Sequence, residues 1–206
     1  MRRVTARVAV LASGGGTNLQ ALLDDPAVGP SVVLALSDRP DAGALERARA
    51  HSVEAMHVDP ATFPDRAAFD RGVLEVLRER EIDIVALAGF MRILGPELVG
   101  AFRGRMLNVH PALLPAFPGA QAVADALDWG VKVTGVTVHL VDEKVDHGPV
   151  VLQEAIEVQP DDDWNSLEAR VHEVEHRLLP AAVRALAERR LVVEGRTVRV
   201  LQEATG

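Results

Sequence analysis

Short apolar runs alternate with amphipathic segments through the first half of the chain. The run at residues 8–12 (VAVLA) is typical of a strand buried on both faces of a parallel sheet. Further strands are predicted at residues 31–37, 53–57 and 82–88, with helices at 42–50 and 65–79. In the last of these helices, one face is formed by Phe69, Val73, Val76 and Leu77. This alternation predicts a single-domain α/β fold with a mostly parallel, twisted, Rossmann-like sheet and helices on both faces.

The second half of the chain adds shorter and more varied elements. Strands are predicted at residues 106–109, 132–141 and 149–158, and a helix at 121–129. Asn165-Ser166-Leu167-Glu168 resembles a capping box that opens a long helix, and Pro180 is expected to interrupt that helix. Residues 191–201 predict a short hairpin around Glu194-Gly195. We therefore expect antiparallel additions to the sheet toward the C-terminus.

Composition narrows the possible classes of protein. A chain of 206 residues that is 48% hydrophobic can bury one substantial core. The net charge of -8 argues against nonspecific nucleic-acid binding, which needs a basic surface. The absence of cysteine removes disulfides, thiolate zinc sites and a cysteine nucleophile. No stretch has the length of apolar sequence that a membrane span requires, so we expect a cytoplasmic protein without a membrane partner.

A glycine-rich loop follows the first predicted strand. Ser13-Gly14-Gly15-Gly16-Thr17-Asn18 leads into a helix, and backbone N–H groups at a helix start can bind an anion. The loop lacks the Gly-Lys-Ser/Thr of a Walker A motif, and Leu19 stands where a dinucleotide fingerprint has its third glycine. The pattern favours a single phosphate. The alternative is a plain tight turn.

Candidate chemistry lies around the fifth predicted strand. Asn108 and His110 fall on one side of its end, because strand side chains alternate. An amide can stabilise a developing oxyanion, and an imidazole can move protons near neutral pH. Asp146 precedes a His-Gly-Pro turn and would orient His110 if the next strand returned alongside. Ordinary turn chemistry explains the same residues equally well. His139, a lone strand histidine, is assigned a secondary role.

Two further segments have competing interpretations. Residues 89–94 (GFMRIL) either form a buried crossover with one arginine at the surface or wall a pocket for a flat heterocycle. Residues 172–176 (HEVEH) fit the H-E-x-x-H helix motif of zinc metallopeptidases. No downstream His-x-x-Gly-x-x-His extends that motif, and a peptidase would leave the glycine-rich loop without a purpose.

Residues 106–119 (MLNVHPALLPAFPG) and 140–150 (LVDEKVDHGPV), with SGGGTNLQ (13–20) and LAGFMRIL (87–94), closely resemble the phosphoribosylglycinamide formyltransferase family, folate-dependent enzymes of purine synthesis. The resemblance runs from about residue 7 to about residue 180 and covers four blocks in the same order. It implies that 10-formyltetrahydrofolate, as cosubstrate and without a metal, supplies a formyl group to the glycyl amine of glycinamide ribonucleotide. It also implies a single domain, 1–206, with a phosphate-binding half at 1–105 and a catalytic and folate-binding half at 106–206.

The resemblance assigns residues to three roles. For catalysis it indicates Asn108, His110 and Asp146, and for the ribonucleotide it indicates Gly16, Thr17, Asn18, His172 and Glu175. For the folate it indicates Arg66, Met91, Arg92, Ile93, Leu94, Asp142, Glu143, Lys144 and Val145, with Arg66 near the glutamate tail. The expected partners are these small molecules alone, and the expected state is a monomer or a homodimer.

The sequence departs from the family pattern after the Pro-Gly turn. Family members often carry a histidine there, whereas this chain has Gln121 and Ala122, so contacts near the transferred group are expected to differ. Formyltetrahydrofolate hydrolase is the alternative function, since it shares the Asn, His and Asp set, but it usually has an additional N-terminal regulatory domain. Methionyl-tRNA formyltransferase would need an RNA-binding domain and a basic surface. Neither domain is expected here.

Overall fold

The computed structural model describes residues 6–202. Its central element is a seven-stranded sheet. The strands are β1 (Val8–Leu11), β2 (Val32–Ser37), β3 (Glu54–His57), β4 (Ile84–Leu87), β5 (Met106–His110), β6 (Val133–Leu140) and β7 (Val150–Glu157), and a hairpin of β8 (Leu191–Glu194) and β9 (Thr197–Val200) follows. The helices are α1 (Thr17–Asp24), α2 (Gly43–Ala50), α3 (Arg66–Glu79), α4 (Pro96–Ala101), α5 (Ala122–Asp128) and α6 (Trp164–Ala187). The predicted domain limits at residues 1 and 206 lie outside the described residues.

The sheet has the order β3-β2-β1-β4-β5-β6-β7. Strands β1 to β5 pair in parallel, and β6 and β7 are added antiparallel. The predicted α/β fold with late antiparallel additions is therefore confirmed. Because β1, β4 and β5 run the same way side by side, the loops that follow them meet at one edge of the sheet.

Alternating side chains of the central strands build a core on each face. Val8 and Val10 pack on one side with α1, α2 and α6, and Ala9 and Leu11 pack on the other with α3 and α4. This confirms helices on both faces. No helix among residues 6–202 has both the length and the apolar character needed to cross a membrane.

Apart from the C-terminal end of α6, the predicted strands and helices lie within about two residues of their observed limits, but α4 was missed. This helix has only six residues, and it starts with Pro96 at its first position after Gly95. Proline at a helix start was the available signal, because the proline ring presets the backbone angle that the first turn needs. One turn and a half is too short for an apolar period to show.

Two predictions about the long helix α6 were wrong. Its capping box is formed by Asp163 and Ser166, each accepting a hydrogen bond from the other's backbone N–H, rather than beginning at Asn165. Pro180 does not interrupt it, since the helix continues to Ala187. Losing one backbone hydrogen bond to proline costs about 3 kcal/mol. Burial of the apolar face on both sides of Pro180, which includes Leu179 and Val183, offsets that cost.

Candidate active site

A cavity of about 690 Å³ opens at the sheet edge where the loops after β1, β4 and β5 meet. Its lining combines the glycine-rich loop, the loop after β4, the end of β5, the segment between β6 and β7, and one face of α6. The α6 residues on this face are Trp164, Glu168, Val171, His172 and Glu175, which follow helical spacing. Segments that are far apart in the sequence thus share one enclosed space.

The glycine-rich loop presents backbone rather than side chains to the cavity. Gly16 has a φ of 75°, and a Cβ there would lie 2.5 Å from the Ala44 Cα, so this position requires glycine. A Cβ on Gly14 or Gly15 would meet nothing within 4 Å, because both residues face open space. No side chain caps the start of α1 at Thr17. The first-turn N–H groups are therefore available to an anion such as a phosphate.

Asn18 joins this loop to α6. Its Nδ2 donates a buried hydrogen bond of 2.8 Å to Glu175 Oε2, and its Oδ1 has no hydrogen-bond partner. His172 Nε2 lies 3.9 Å from the same Glu175 oxygen. Burial raises the pKa of Glu175, although the Asn18 hydrogen bond and the nearby His172 oppose the shift. The residues assigned to the ribonucleotide by resemblance (Gly16, Thr17, Asn18, His172, Glu175) thus lie together in the cavity lining.

Four polar side chains form a cluster deep in the cavity. Asp146 Oδ1 accepts a hydrogen bond of 3.3 Å from Asn108 Nδ2, and Asp146 Oδ2 accepts one of 2.8 Å from the Gly119 N–H. His110 Nδ1 is 3.4 Å from Oδ2, and His139 Nε2 is 3.7 Å from Oδ1. The predicted meeting of Asn108, His110 and Asp146 is therefore present. We call these three residues and His139 the polar cluster.

The hydrogen bonds to carbonyl groups define the histidine tautomers. His110 Nε2 lies 2.8 Å from the Phe117 carbonyl and must donate to it, so Nδ1 faces the Asp146 carboxylate. His139 Nδ1 donates to the Leu140 carbonyl at 2.9 Å, and its Nε2 can accept from Asn108 Nδ2 at 3.2 Å. Asn108 is held in place from both sides as a result.

The pKa values in the polar cluster shift in the same direction for different reasons. Burial lowers the pKa of His110, and the Asp146 charge and the Phe117 carbonyl only partly oppose this. Burial alone would raise the pKa of Asp146, but His139, the Gly119 N–H and the His110 charge together lower it. Asp146 therefore remains a carboxylate throughout the neutral range. It is held with a φ of 49°, a backbone conformation that non-glycine residues rarely adopt.

Sequence reasoning underestimated His139. It is 2% exposed, lines the cavity and sits directly opposite Asn108 in the β5–β6 register. The sequence alone does not show which β6 residue pairs with Asn108, because a shift of one residue in the register would place a different side chain opposite it. By contrast, His110 is 4% exposed and is not among the residues that line the cavity.

The loops assigned to the folate by resemblance border the other end of the cavity. Met91 and Ile93 are 66% and 59% exposed, and both line the cavity. The residues of these loops that line the cavity are Met91, Arg92, Ile93, Leu94, Asp142, Glu143, Lys144 and Val145. Arg66, at the start of α3, lies outside this lining. Gln121 and Ala122, where relatives often have histidine, do line the cavity.

The H-E-x-x-H segment lies in α6 with its histidines divided between two cavities. His172 lines the main cavity, and His176 lines a second one between α1, α2 and α6. Their rings stack with centroids 5.9 Å apart. Glu173 is exposed, whereas Glu175 is buried against Asn18. Within residues 6–202, no group of three or more His, Cys, Asp or Glu side chains is placed to hold a metal ion.

The sequence model of the formyl transferase family matches residues 6–183 of this chain. The chain belongs to the formyl transferase family. It is 48% identical over 202 residues to the phosphoribosylglycinamide formyltransferase of Mycobacterium tuberculosis, an alignment that covers 97% of this chain and 94% of that protein. The enzyme of the same name from Bacillus subtilis is 41% identical over 183 residues, with 87% and 94% covered.

Solved structures of family members support the same assignment. The glycinamide ribonucleotide transformylase 1 of Symbiobacterium toebii superposes with a TM-score of 0.93 at 50% identity, covering 96% of this chain and 94% of that chain. The resemblance inferred from four sequence blocks is therefore confirmed. The comparisons support the formyltransferase interpretation over a zinc metallopeptidase.

Proposed function

We propose that this chain transfers the formyl group of 10-formyltetrahydrofolate to the glycyl amine of glycinamide ribonucleotide in purine synthesis. One observation carries the proposal: a single cavity is lined by the glycine-rich loop, by the loop after β4 and by Asn108, His139 and Asp146 of the polar cluster. Family membership and relatives at 41% and 48% identity support the same reaction. Both substrates can be bound at once, so the enzyme's main task is to align them.

The glycine-rich loop binds the ribonucleotide phosphate in this proposal. The free N–H groups at the start of α1 supply hydrogen bonds and a partial positive charge. Glu175, fixed by Asn18, lies beside His172 and is placed to accept hydrogen bonds from the sugar hydroxyls. The exposed apolar side chains of Met91 and Ile93 cover the folate heterocycle at the other end.

Asn108 stabilises the oxygen of the formyl group during attack. The amine nitrogen forms a bond to the formyl carbon, the carbonyl oxygen gains negative charge, and the bond from that carbon to the folate nitrogen then breaks. The Asn108 Nδ2 contact to Asp146 is long, at 3.3 Å, so the N–H that points this way is only weakly held and can be shared with the charged oxygen. The second N–H stays on His139, which keeps the amide in place.

Asp146 assists the proton transfer that the reaction requires. The attacking amine loses a proton, and the leaving folate nitrogen gains one. The lowered pKa of Asp146 keeps it ionised, so it can orient a water that carries this proton and can stabilise His110 as a cation. His110 is not in the cavity lining, so its contribution is indirect: the Asp146 carboxylate, 3.4 Å from Nδ1, stabilises the positive charge that the ring gains when it takes up a proton during the transfer.

Measuring both reaction products distinguishes transfer of the formyl group to the nucleotide from hydrolysis of the formylated folate. The purified chain is mixed with 10-formyltetrahydrofolate, with and without glycinamide ribonucleotide, and tetrahydrofolate and formylated nucleotide are quantified. We expect equal amounts of both products and almost no folate turnover without nucleotide. Folate turnover at the same rate in the absence of nucleotide would support the hydrolase alternative.

Location and assembly are also part of the proposal. Cytoplasmic location, a monomer or homodimer, and the absence of nucleic-acid partners rest on the sequence arguments. The acidic net charge of -8 supports small-molecule substrates over nucleic acid. Light scattering of the purified chain at several concentrations tests the assembly.

A further inference from the structure

Ser13 makes three hydrogen bonds that leave the glycine-rich loop. Its N–H donates to the Gly89 carbonyl at 3.0 Å, and its hydroxyl accepts from the Met91 N–H at 2.9 Å. The hydroxyl proton is donated to Asp38 Oδ1 at 2.6 Å. Ser13 is 3% exposed, so water does not compete for these bonds.

Asp38 continues this connection. It follows β2, and its side chain is only 10% exposed. While Oδ1 accepts from Ser13, Oδ2 lies 4.0 Å from Arg92 Nη1. The Arg92 guanidinium also packs over the Phe69 ring at 4.8 Å. Asp38 therefore holds the loop after β1 and the loop after β4 from a third segment.

We propose that Ser13 and Asp38 are positioning residues that set the separation between the two substrate-binding loops. Neither residue lines the cavity, but both fix residues that do. Ser13 directly precedes the phosphate-binding glycines, and its hydroxyl holds the backbone of Met91 on the folate side. The inference rests on the proposed function, in which these loops hold different substrates.

The separation of the two loops matters because the reaction requires the two substrates to be close together. Two reactants combine efficiently only when the reacting atoms are held about 3–3.5 Å apart, and a displacement of about 1 Å can cost a hundredfold in rate. Each loop could bind its own substrate without Ser13. The relative position of the two substrates depends on the hydroxyl, because it contacts both the Met91 backbone and the Asp38 carboxylate.

Four variants separate positioning from general stability. Ser13→Ala removes the bridge, and Asp38→Ala removes the acceptor that orients it. Asp38→Asn keeps an acceptor oxygen for the Ser13 hydroxyl. Ser37→Ala is the matched control, because Ser37 is fully buried next to Asp38 and, within residues 6–202, its hydroxyl accepts only from the Arg39 N–H.

Two measurements are made on each full-length variant. The first is hydrogen exchange of the Met91 amide in the free protein. The second is the kcat of formyl transfer, with the KM of each substrate. For Ser13→Ala and Asp38→Ala we expect roughly tenfold faster exchange and roughly tenfold lower kcat, with each KM within about threefold of the wild type, because each loop still binds its own substrate. We expect Asp38→Asn to stay within about threefold of the wild type, and Ser37→Ala to match it.

The outcomes distinguish this inference from the proposed function. If Ser13→Ala and Asp38→Ala match Ser37→Ala in exchange and in kcat, the positioning role is wrong. If Asp38→Asn behaves like Asp38→Ala, the hydroxyl bridge is not the connection. A wild-type chain that transfers no formyl group contradicts the proposed function instead, while the exchange measurement still tests the contact between the loops.

Discussion

Replacing Asp146 by asparagine removes one charge from the centre of the polar cluster while preserving its size. The carboxylate is 9% exposed, lies 3.4 Å from His110 Nδ1 and holds the Gly119 N–H. At an effective dielectric constant of about 20, unit charges at this distance interact by roughly 5 kcal/mol. Losing that attraction destabilises the cation that His110 forms when it takes up a proton during the transfer. Since about 1.4 kcal/mol corresponds to a tenfold change in rate, we expect kcat to fall by about a hundredfold to a thousandfold.

The contact between Asp146 and His110 also predicts the direction in which the His110 pKa changes in this variant. The Asp146 charge raises the pKa of His110 and thus opposes the lowering caused by burial. In Asp146→Asn that opposition is lost, so His110 loses its proton at a still lower pH and the cation is present over a narrower acidic range. NMR titration of the His110 ring should show this shift to lower pH.

The assay compares kcat for the wild type, Asp146→Asn and a control, Asp128→Asn, at saturating concentrations of both substrates. Asp128 is exposed at the end of α5 and lies outside the cavity lining, so its variant should match the wild type. A kcat for Asp146→Asn within about fivefold of the wild type, or an unmoved His110 titration, would refute the reasoning.

Three further predictions concern the substrate loops. Burial raises the pKa of Glu175, so the unfolded chain loses this proton at a lower pH than the folded chain, and the stability of the fold falls as the pH rises above the ordinary value of 4.5. Glu175→Gln should therefore raise Tm by about 2–4 °C at pH 7, and this gain should disappear below pH 4.5. The same variant should raise the KM for the nucleotide roughly tenfold. An unchanged Tm at pH 7 would contradict this. Gly16→Ala should lower the free energy of unfolding by more than about 1 kcal/mol in a urea titration, whereas Gly14→Ala should not, because only Gly16 has a positive φ and a crowded Cβ position. Dialysis against a chelator should leave formyl transfer unchanged, and a loss of formyl transfer that added zinc reverses would contradict a metal-free site.

The regular elements were predictable because their apolar periods are long enough to recognise. The strand β1 is recognised from a continuous apolar run, and the helix α3 is recognised from apolar residues at helical spacing. The six-residue helix α4 does not, and Pro180 gave a misleading signal because tertiary packing outweighs its local cost. Propensity rules describe isolated segments, whereas α6 is held by a core on both sides of that proline.

The polar cluster was predictable only in part. Asn108 and His110 share a strand face by simple alternation, which the sequence shows directly. The return of Asp146 to this face, and the pairing of His139 opposite Asn108, depend on a register between strands that sequence does not encode locally. The hydrogen bond from His110 to the Phe117 carbonyl is likewise a product of the loop conformation after β5.

The most direct test of the account is the single-turnover rate of formyl transfer by Asn108→Ala with both substrates bound. Asn108 lines the cavity, and in the proposed mechanism its amide N–H donates to the oxygen where negative charge develops. Removing such a donor typically costs about a hundredfold or more, so the account predicts a loss of at least that size with little change in substrate affinity. A single-turnover rate within a few fold of the wild type would contradict the assignment of the chemistry to this site.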